Sequence, residues 1–551
     1  MVNKYKPASS IAILTLLTVI MSACTGGSNT NDTNGSSNAA DQPPSEQTQD
    51  ELKAQAEYPE SITYWTALNS NVAATMKSYN EIAAYRELEK ITGTKVEFQH
   101  PPVGQEKDQF NLMLASGKLP DVIEYNWNAA PKGADSLIKE KRIIRLNELI
   151  EQHAPNLTKL LNERPDLRKL ITTDEGNIYV MPYLLGDEKL SVVNGPAVRK
   201  DWLDQLGLEV PQTLSDWENV LTAFRDKDPN GNGKKDEIPL LFTISPNHEI
   251  ELSHMLVGAW GITNEFYQED GKVKFGPIEP EYKEFLATMA KWYKDGLIDK
   301  DYATTDPKLK DAKVTGNQVG MMNVYAGSGI GRYIPLLQES NPSASLAGIP
   351  YPTAKEGEKA LGHYTYPFTG IGAAISVTAD NPEQIVKWLD YKYGEEGHLL
   401  FNFGIEGESY NMVNGYPTYT DAILNNPDKL PISQAMAKYF LASFSGPFVQ
   451  DKRYIEQFYK LPEQRDAQLA WMQADHSKIM PPITLTAEES SKSASIMNDI
   501  KTYRDEMFNK FIMGAEPIEN FDKFVNVIKE MGIEEAISAR QAALDRFNNR
   551  E

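Results

Sequence analysis

The chain reads as an α/β protein of two or more lobes set behind an export segment. Three observations carry this. About 500 residues follow a leader and a polar linker, which is too many for one hydrophobic core. Helical and strand patterns alternate along all of them, which calls for helices layered on sheets. The hydrophobic, aromatic and charged fractions, 41%, 10% and 24%, are those of a soluble globular protein.

The first element is a leader. Lys4 and Lys6 precede the apolar run Ile11–Met21, and Ser22-Ala23 lead into Cys24, the only cysteine among 551 residues. The run is short for a permanent span, so residues 1–23 read as a signal peptide. A cysteine behind small residues resembles the bacterial lipobox, whose thiol takes a diacylglycerol, although Met21 stands where Leu is commoner. The alternative is an ordinary signal peptide with an incidental cysteine. Lipidation of Cys24 would hold the protein on the extracytoplasmic face of the cell membrane. Residues 24–57 are mostly Gly, Ser, Asn, Thr, Asp, Gln and Pro, and read as a flexible linker. No later segment approaches a membrane-spanning run.

The formal charge is −22, and it grows once Lys4 and Lys6 are removed. Such a chain is a poor candidate for nucleic acid or anionic membrane surfaces. With Cys24 lipidated, disulfides and cysteine catalysis are excluded.

The body then begins. Ser61–Trp65 reads as a strand, Tyr79–Thr92 as an amphipathic helix, and Thr94–Phe98 as a second strand. Phe110–Ser116 reads as a helix stopped by Gly117, and Asp121–Tyr125 as a strand. Leu137–His153 reads as helical. Thr213 and Asp216 have capping-box spacing, with Trp217, Val220, Leu221 and Phe224 on one face of the helix behind them. Tyr282, Phe285, Leu286, Met289 and Trp292 share another helical face. Asn381-Pro382-Glu383 reads as a cap with proline at the first helical position, opening a helix through Tyr391.

The sharpest local chemistry is Asp228-Pro-Asn230-Gly-Asn232-Gly233-Lys234-Lys-Asp236-Glu237. Side-chain oxygens recur at alternate positions, a spacing that curls a loop around one hard cation. Gly233 is sixth, where an EF-hand turns sharply, and the Lys234 carbonyl falls at the seventh position. The twelfth position, an EF-hand's bidentate Glu, is Pro239, so Glu237 at the tenth must supply the last carboxylate. The loop joins a helix to the apolar run Ile238–Phe242, so calcium here would be a structural staple. The alternative is a metal-free Asn/Gly turn.

No catalytic constellation emerges. The seven histidines include no zinc spacing, and His248-Glu249 with His254 misses the HExxH interval. There is no GxSxG elbow. Gly327-Ser-Gly329-Ile-Gly331 lacks the GxGxxG interval and any Walker lysine. The chain is expected not to be an enzyme, although no acid pair among 77 carboxyls can be singled out or dismissed.

Several segments carry a resemblance. They are Asn111–Ile123, Thr173–Tyr179, Arg199–Gly207, the Asp228–Glu237 loop, Lys294–Ile298, Tyr393–Gly397 and Gly404–Tyr410. In this order they resemble the lipoprotein extracellular solute-binding proteins of ABC transporters, family 1. The nearest branch holds the alginate-oligosaccharide binders and the lipoproteins tied to pectin and hemicellulose fragments. The resemblance implies a two-lobe, periplasmic-binding-protein-like fold (type II) with ligand in an interlobe cleft and extra C-terminal helices. It implies lobe one at 58–185 plus 373–430, and lobe two at 186–372 plus 431–551. It implies calcium at Asp228, Asn230, Asn232, Lys234, Asp236 and Glu237, hinge closure on the ligand, and delivery to a membrane permease. The expected protein is a monomer.

An oligosaccharide needs flat aromatic surfaces rimmed by polar groups. The chain has 8 Trp and 26 Tyr. Trp202, Trp217, Trp292 and Trp388 lie among apolar neighbours and read as core. Candidates at strand ends are Trp65, and Tyr125 and Trp127 around Asn126. The resemblance adds Tyr325, and places aromatic residues where Trp65 and Tyr125 stand. Trp260, Tyr364, Tyr366 and Tyr410 are further candidates, and Arg199 one for an anionic sugar. For each, core packing or an internal ion pair is the competing role. Two other functions stay open: a surface-anchored polysaccharide-degrading enzyme, and a ligand-sensing partner of a membrane receptor.

Overall fold

The computed structural model describes residues 57–244, 255–442 and 446–550. The signal peptide, Cys24, nearly all of the linker, His248 and His254 lie outside the described residues.

The strands are β1 (Ser61–Trp65), β2 (Lys95–Gln99), β3 (Val122–Asn126), β4 (Met181–Pro182) and β5 (Leu184–Leu185). They continue with β6 (Asn194–Arg199), β7 (Ile238–Leu241), β8 (Phe266–Glu269), β9 (Lys272–Phe275) and β10 (Val319–Tyr325). The last are β11 (Leu346–Gly348), β12 (Ile371–Ile375), β13 (Tyr410–Val413), β14 (Tyr416–Tyr419) and β15 (Val449–Gln450). Two sheets organise them. The first has the order β2-β1-β3-β12-β4, the second β11-β6-β10-β7. In the first, β1 pairs in parallel with β2 and β3, while β12 runs antiparallel to β3 and β4. In the second, β6 runs antiparallel to both β10 and β11, and β7 runs parallel to β10.

Side chains alternate across the second sheet, as strand geometry requires. Ala197 and Met322 face a core shared with the first sheet, while Val198 and Met321 face a second core with Trp202 and Trp217. Trp202, Trp217, Trp292 and Trp388 are all fully buried, as their apolar surroundings predict. The Pro462–Trp471 helix lies directly on β6 and β11. A Cβ at Gly348 would stand 2.1 Å from the Ala467 Cβ, and one at Gly195 2.5 Å from the Trp471 ring. Only glycine permits that approach.

Local signals explain most boundaries. The Glu106–Ser116 helix stops at Gly117, which takes the left-handed conformation (φ 68°). Thr213 and Asp216 form both halves of the capping box on the Leu214–Asp226 helix. Two expectations need correction. Residues 137–153 are not one helix: Gly133–Lys139 and Asn147–His153 are separated by Ile143, which bridges to Ser376 beside β12. Asn381 precedes the Pro382–Asp390 helix with φ 51° and makes no side-chain cap.

The chain leaves the first sheet at Pro182 and joins the second at Asn194; it returns between Gly348 and Ile371. The crossing segments bond to one another. Tyr183 N–H donates to Ile371 O (2.9 Å), Leu185 N–H to Pro367 O (2.9 Å) and Thr365 N–H to Ser191 O (2.9 Å). β15 adds a third crossing segment by pairing in parallel with β5. Among the described residues, no helix is long and apolar enough to cross a membrane.

Candidate functional site

Strand register locates the junction. Gly372 pairs with Pro182 and Ile371 with Asn126, so the end of β3 lies where the chain leaves the first sheet. Tyr325 pairs with Asn194, so the end of β10 lies where the chain enters the second. Open α/β sheets bind ligands at such strand ends.

Two cavities open beside this edge of the second sheet. The larger, about 890 Å³, is lined by Thr213, Asp216, Tyr351, Glu356, Glu358 and Lys359 among others. The smaller, about 220 Å³, includes Gly258, Thr263, His363, Tyr364 and Ile479. Residues 360–362 and 474–475 form the wall between them. Asp475 N–H donates to Ala360 O (2.8 Å) and Gly362 N–H to Asp475 O (3.3 Å). A Cβ at Gly258 would lie 2.0 Å from Leu361 O, which fixes the wall close to that turn.

The wall carries aromatic rings. Tyr364 stacks on His476 (4.9 Å, 29°) and meets Tyr366 edge-on at 5.3 Å. The Tyr366 hydroxyl donates to Ile479 O (3.2 Å). The Tyr351 hydroxyl donates to Asn194 O (3.0 Å), tying the wall to the junction. Burial pushes the His476 imidazole below its ordinary range, so the ring is neutral at pH 7, and its Nε2 is buried without a hydrogen-bond partner. Tyr351, His363 and His476 were not among the sequence candidates, because each sits in irregular chain without a periodic signal.

The sequence candidates divide. Tyr325 is 54% exposed at the end of β10. Tyr364 and Tyr366 are half-buried, and so is Trp260, whose ring meets Phe285 edge-on at 5.6 Å. Asn126 is exposed and accepts from Asn128 N–H (3.2 Å), capping the turn that follows β3. Tyr125 is half-buried and stacks on Phe110 at 3.8 Å.

Four candidates are corrected. Trp65 and Trp127 are buried in the first core, and Trp127 Nε1 donates to Gly372 O (3.0 Å). Tyr410 is buried against Phe403. Arg199 is 1% exposed at the opposite end of β6, forked onto Asp201 (2.8 and 2.6 Å) and bonded to Asn317. Their apolar or ionic partners lie within the fold, and none offers a surface to a ligand.

The Asp228–Glu237 loop connects the Leu214–Asp226 helix to β7, as expected. Gly233 takes φ 74°, and its N–H donates to Asp228 Oδ2 (3.0 Å). The Asn230 and Asn232 amides both donate to Asp236 Oδ1 (3.1 and 2.9 Å). The acidic side chains are therefore not drawn into one shell: among the described residues, no group of three His, Cys, Asp or Glu could hold a metal. The donor set nevertheless suits a hard cation. Glu237 Oε1 is buried without a partner, and its carboxyl is raised above the usual range by burial first, then by the Asp228 and Asp236 charges. Half a turn of each Asn amide would present oxygen in place of nitrogen.

Comparison with known proteins agrees with this architecture. Residues 69–398 match the family described as bacterial extracellular solute-binding protein. The chain belongs to that family, whose members bind solutes and are not enzymes. It is 28% identical over 493 residues to the fructooligosaccharide ABC transporter substrate-binding protein FusA of Streptococcus pneumoniae, covering 86% of this chain and 88% of that one. It is 26% identical to Lipoprotein LipO of Bacillus subtilis, covering 81% and 85%. Among solved structures, FusA in complex with kestose has a TM-score of 0.70 at 25% identity, covering 89% and 100%. The alginate-binding protein AlgQ2 without calcium ion has 0.68 at 26%, covering 88% and 98%. A FusA variant with fructo-nystose, described as an EF-hand mutant, has 0.69 at 24%, covering 89% and 100%. The two-lobe α/β fold is that of solute-binding proteins.

Proposed function

We propose that this protein captures an oligosaccharide at the junction of its two sheets and delivers it to the permease of an ABC importer. The observation that carries this is the coincidence of two cavities, a half-exposed tyrosine and a stacked Tyr364–His476 pair at one strand-end edge. Sugar rings present apolar faces that stack on such aromatics, and hydroxyls that suit polar rims. Tyr325, Tyr364, Tyr366 and Trp260 are the proposed contacts, with Tyr125 and Asn126 added from the end of β3 in the first sheet. The hinge lies in the crossing segments, where rotation closes the groove on its ligand. A lipid on Cys24 keeps the body near its permease, and residues 24–57 set its reach.

We place calcium on the Asp228–Glu237 loop, with Asp228, Asn230, Asn232, Asp236, Glu237 and the Lys234 carbonyl as its holders. Kinship to FusA, which has an EF-hand mutant, and to AlgQ2, solved without calcium ion, supports this reading. Bound there, a calcium ion supplies positive charge that relieves the crowded carboxylates and fixes the helix-to-strand turn.

The test is isothermal titration of the purified protein against a panel of oligosaccharides, with product analysis by chromatography. Saturable binding with the sugar recovered intact is expected. Turnover would transfer the chain to the polysaccharide-degrading class.

A further inference from the structure

We infer that the captured oligosaccharide is uncharged and that uronate-bearing sugars are excluded. This rests on the capture reading and narrows it. The larger cavity is lined by three carboxyls, Asp216, Glu356 and Glu358, against one ammonium, Lys359. A sugar carboxylate entering it would meet like charge at short range while losing its own hydration. Strong carboxylate recognition uses a free guanidinium fork. Three basic side chains near the junction are already paired. Arg164, near enough to Tyr364 for the two to interact electrostatically, holds Asp166 at 2.9 and 2.7 Å. Arg332, in the first turn of the Gly331–Gln338 helix beyond Tyr325, holds Asp311 at 2.9 and 2.6 Å. Lys189, on the first crossing segment, is bonded to Glu456 (3.0 Å).

What stands beside the smaller cavity suits hydroxyls. The His476 imidazole is stacked on Tyr364, and its buried Nε2 has no partner within the protein. A neutral imidazole nitrogen accepts from a hydroxyl or donates to one, according to tautomer, and brings no cation for a carboxylate. The Tyr325 and Tyr364 rings supply stacking faces without charge. The arrangement thus separates this chain from a binder of acidic polysaccharide fragments by the charges at the groove, independently of overall kinship.

The experiment is calorimetry on the intact mature protein with 1-kestose, maltotriose and xylotriose in one arm and tri-galacturonate in the other. Each titration is run at about 50 and about 500 mM NaCl, a span that largely screens exposed charge. The expected result is saturable binding of at least one neutral trisaccharide, with Kd changing less than about twofold across the salt range, and no saturation by tri-galacturonate. His476→Ala should weaken the neutral sugar about tenfold, the cost of one buried hydrogen bond, with Tm unchanged. Tri-galacturonate binding as tightly as the neutral sugars, or more tightly, with an affinity that falls as salt rises, would overturn the inference and leave the capture reading standing. Failure of every trisaccharide to bind would overturn the capture reading and this inference with it.

Discussion

Asp174 and Arg550, 376 positions apart, are locked together: Asp174 Oδ1 accepts from Arg550 Nε (2.8 Å) and Nη2 (2.6 Å). The other carboxylate oxygen accepts from Arg546 Nε (2.7 Å), and Arg546 also forks onto Glu489. The C-terminal Ile533–Asn548 helix is thereby clasped to the Thr173–Asn177 turn of the N-terminal half. Arg550 is 3% exposed and Asp174 12%, so solvent screens this pair little. Asp174→Asn should cost about 2 kcal/mol, the range for hydrogen bonds to charged groups. Urea unfolding checks this; an unchanged midpoint would show the clasp to be ornamental.

Lys392 gives the protein a pH-dependent stability. Its ammonium is fully buried, with the Trp388, Phe401, Tyr85 and Tyr64 rings at 4.6, 4.8, 5.0 and 5.8 Å. Burial pushes it down to about 7 from 10.5, against the opposing pull of Glu124. Between those values the unfolded chain binds the extra proton, so stability should rise with pH, by at most about 1.4 kcal/mol per unit. Chemical denaturation at pH 7 through 10 should show this slope in the native protein and its loss in Lys392→Met. Equal slopes in both would remove Lys392 as the cause.

Stacking and packing aromatic residues should separate cleanly. Tyr325→Ala and Tyr364→Ala should each weaken sugar binding about tenfold, near 1.4 kcal/mol, with little change in Tm. Trp127→Ala should do the reverse, costing about 3–5 kcal/mol of stability, because its ring is core. Paired calorimetry and thermal melts read both effects. If Tyr325→Ala and Tyr364→Ala both keep native affinity, the ligand lies elsewhere.

Chelation should lower Tm and added calcium restore it. At a free calcium concentration of about 100 times Kd, the gain is about 2.7 kcal/mol. Glu237→Gln should abolish the difference between EDTA and calcium. A native melt indifferent to both reagents would remove calcium from the loop.

The sequence was legible where a local signal sufficed. Trp217, Val220, Leu221 and Phe224 announce a buried helix face, and Thr213 with Asp216 announces its start; both stand as read. Gly117 ends its helix for the reason a glycine predicts. The misreadings needed partners that sequence does not place. Ile143 interrupts a helical stretch because Ser376, 233 positions later, is beside it. Trp65 and Tyr325 look alike in sequence, each aromatic at a strand end, yet one is 6% and the other 54% exposed. Phe110 and Tyr125 cover the first. Arg199 could not be told from a ligand fork until Asp201 and Asn317 were found to hold it.

The strand order also sets a clock. β12 lies between β3 and β4, so the first sheet stays split until residues 371–375 are available, and β4 has no neighbour in that sheet before then. β6 likewise waits for β10 and β11. A chain emerging from its N-terminus therefore completes neither sheet until more than three-fifths of it is out. Contacts this distant in sequence form late and slowly. The two hydrophobic cores, which draw in Phe547 and Ala536, close only when nearly the whole chain is present.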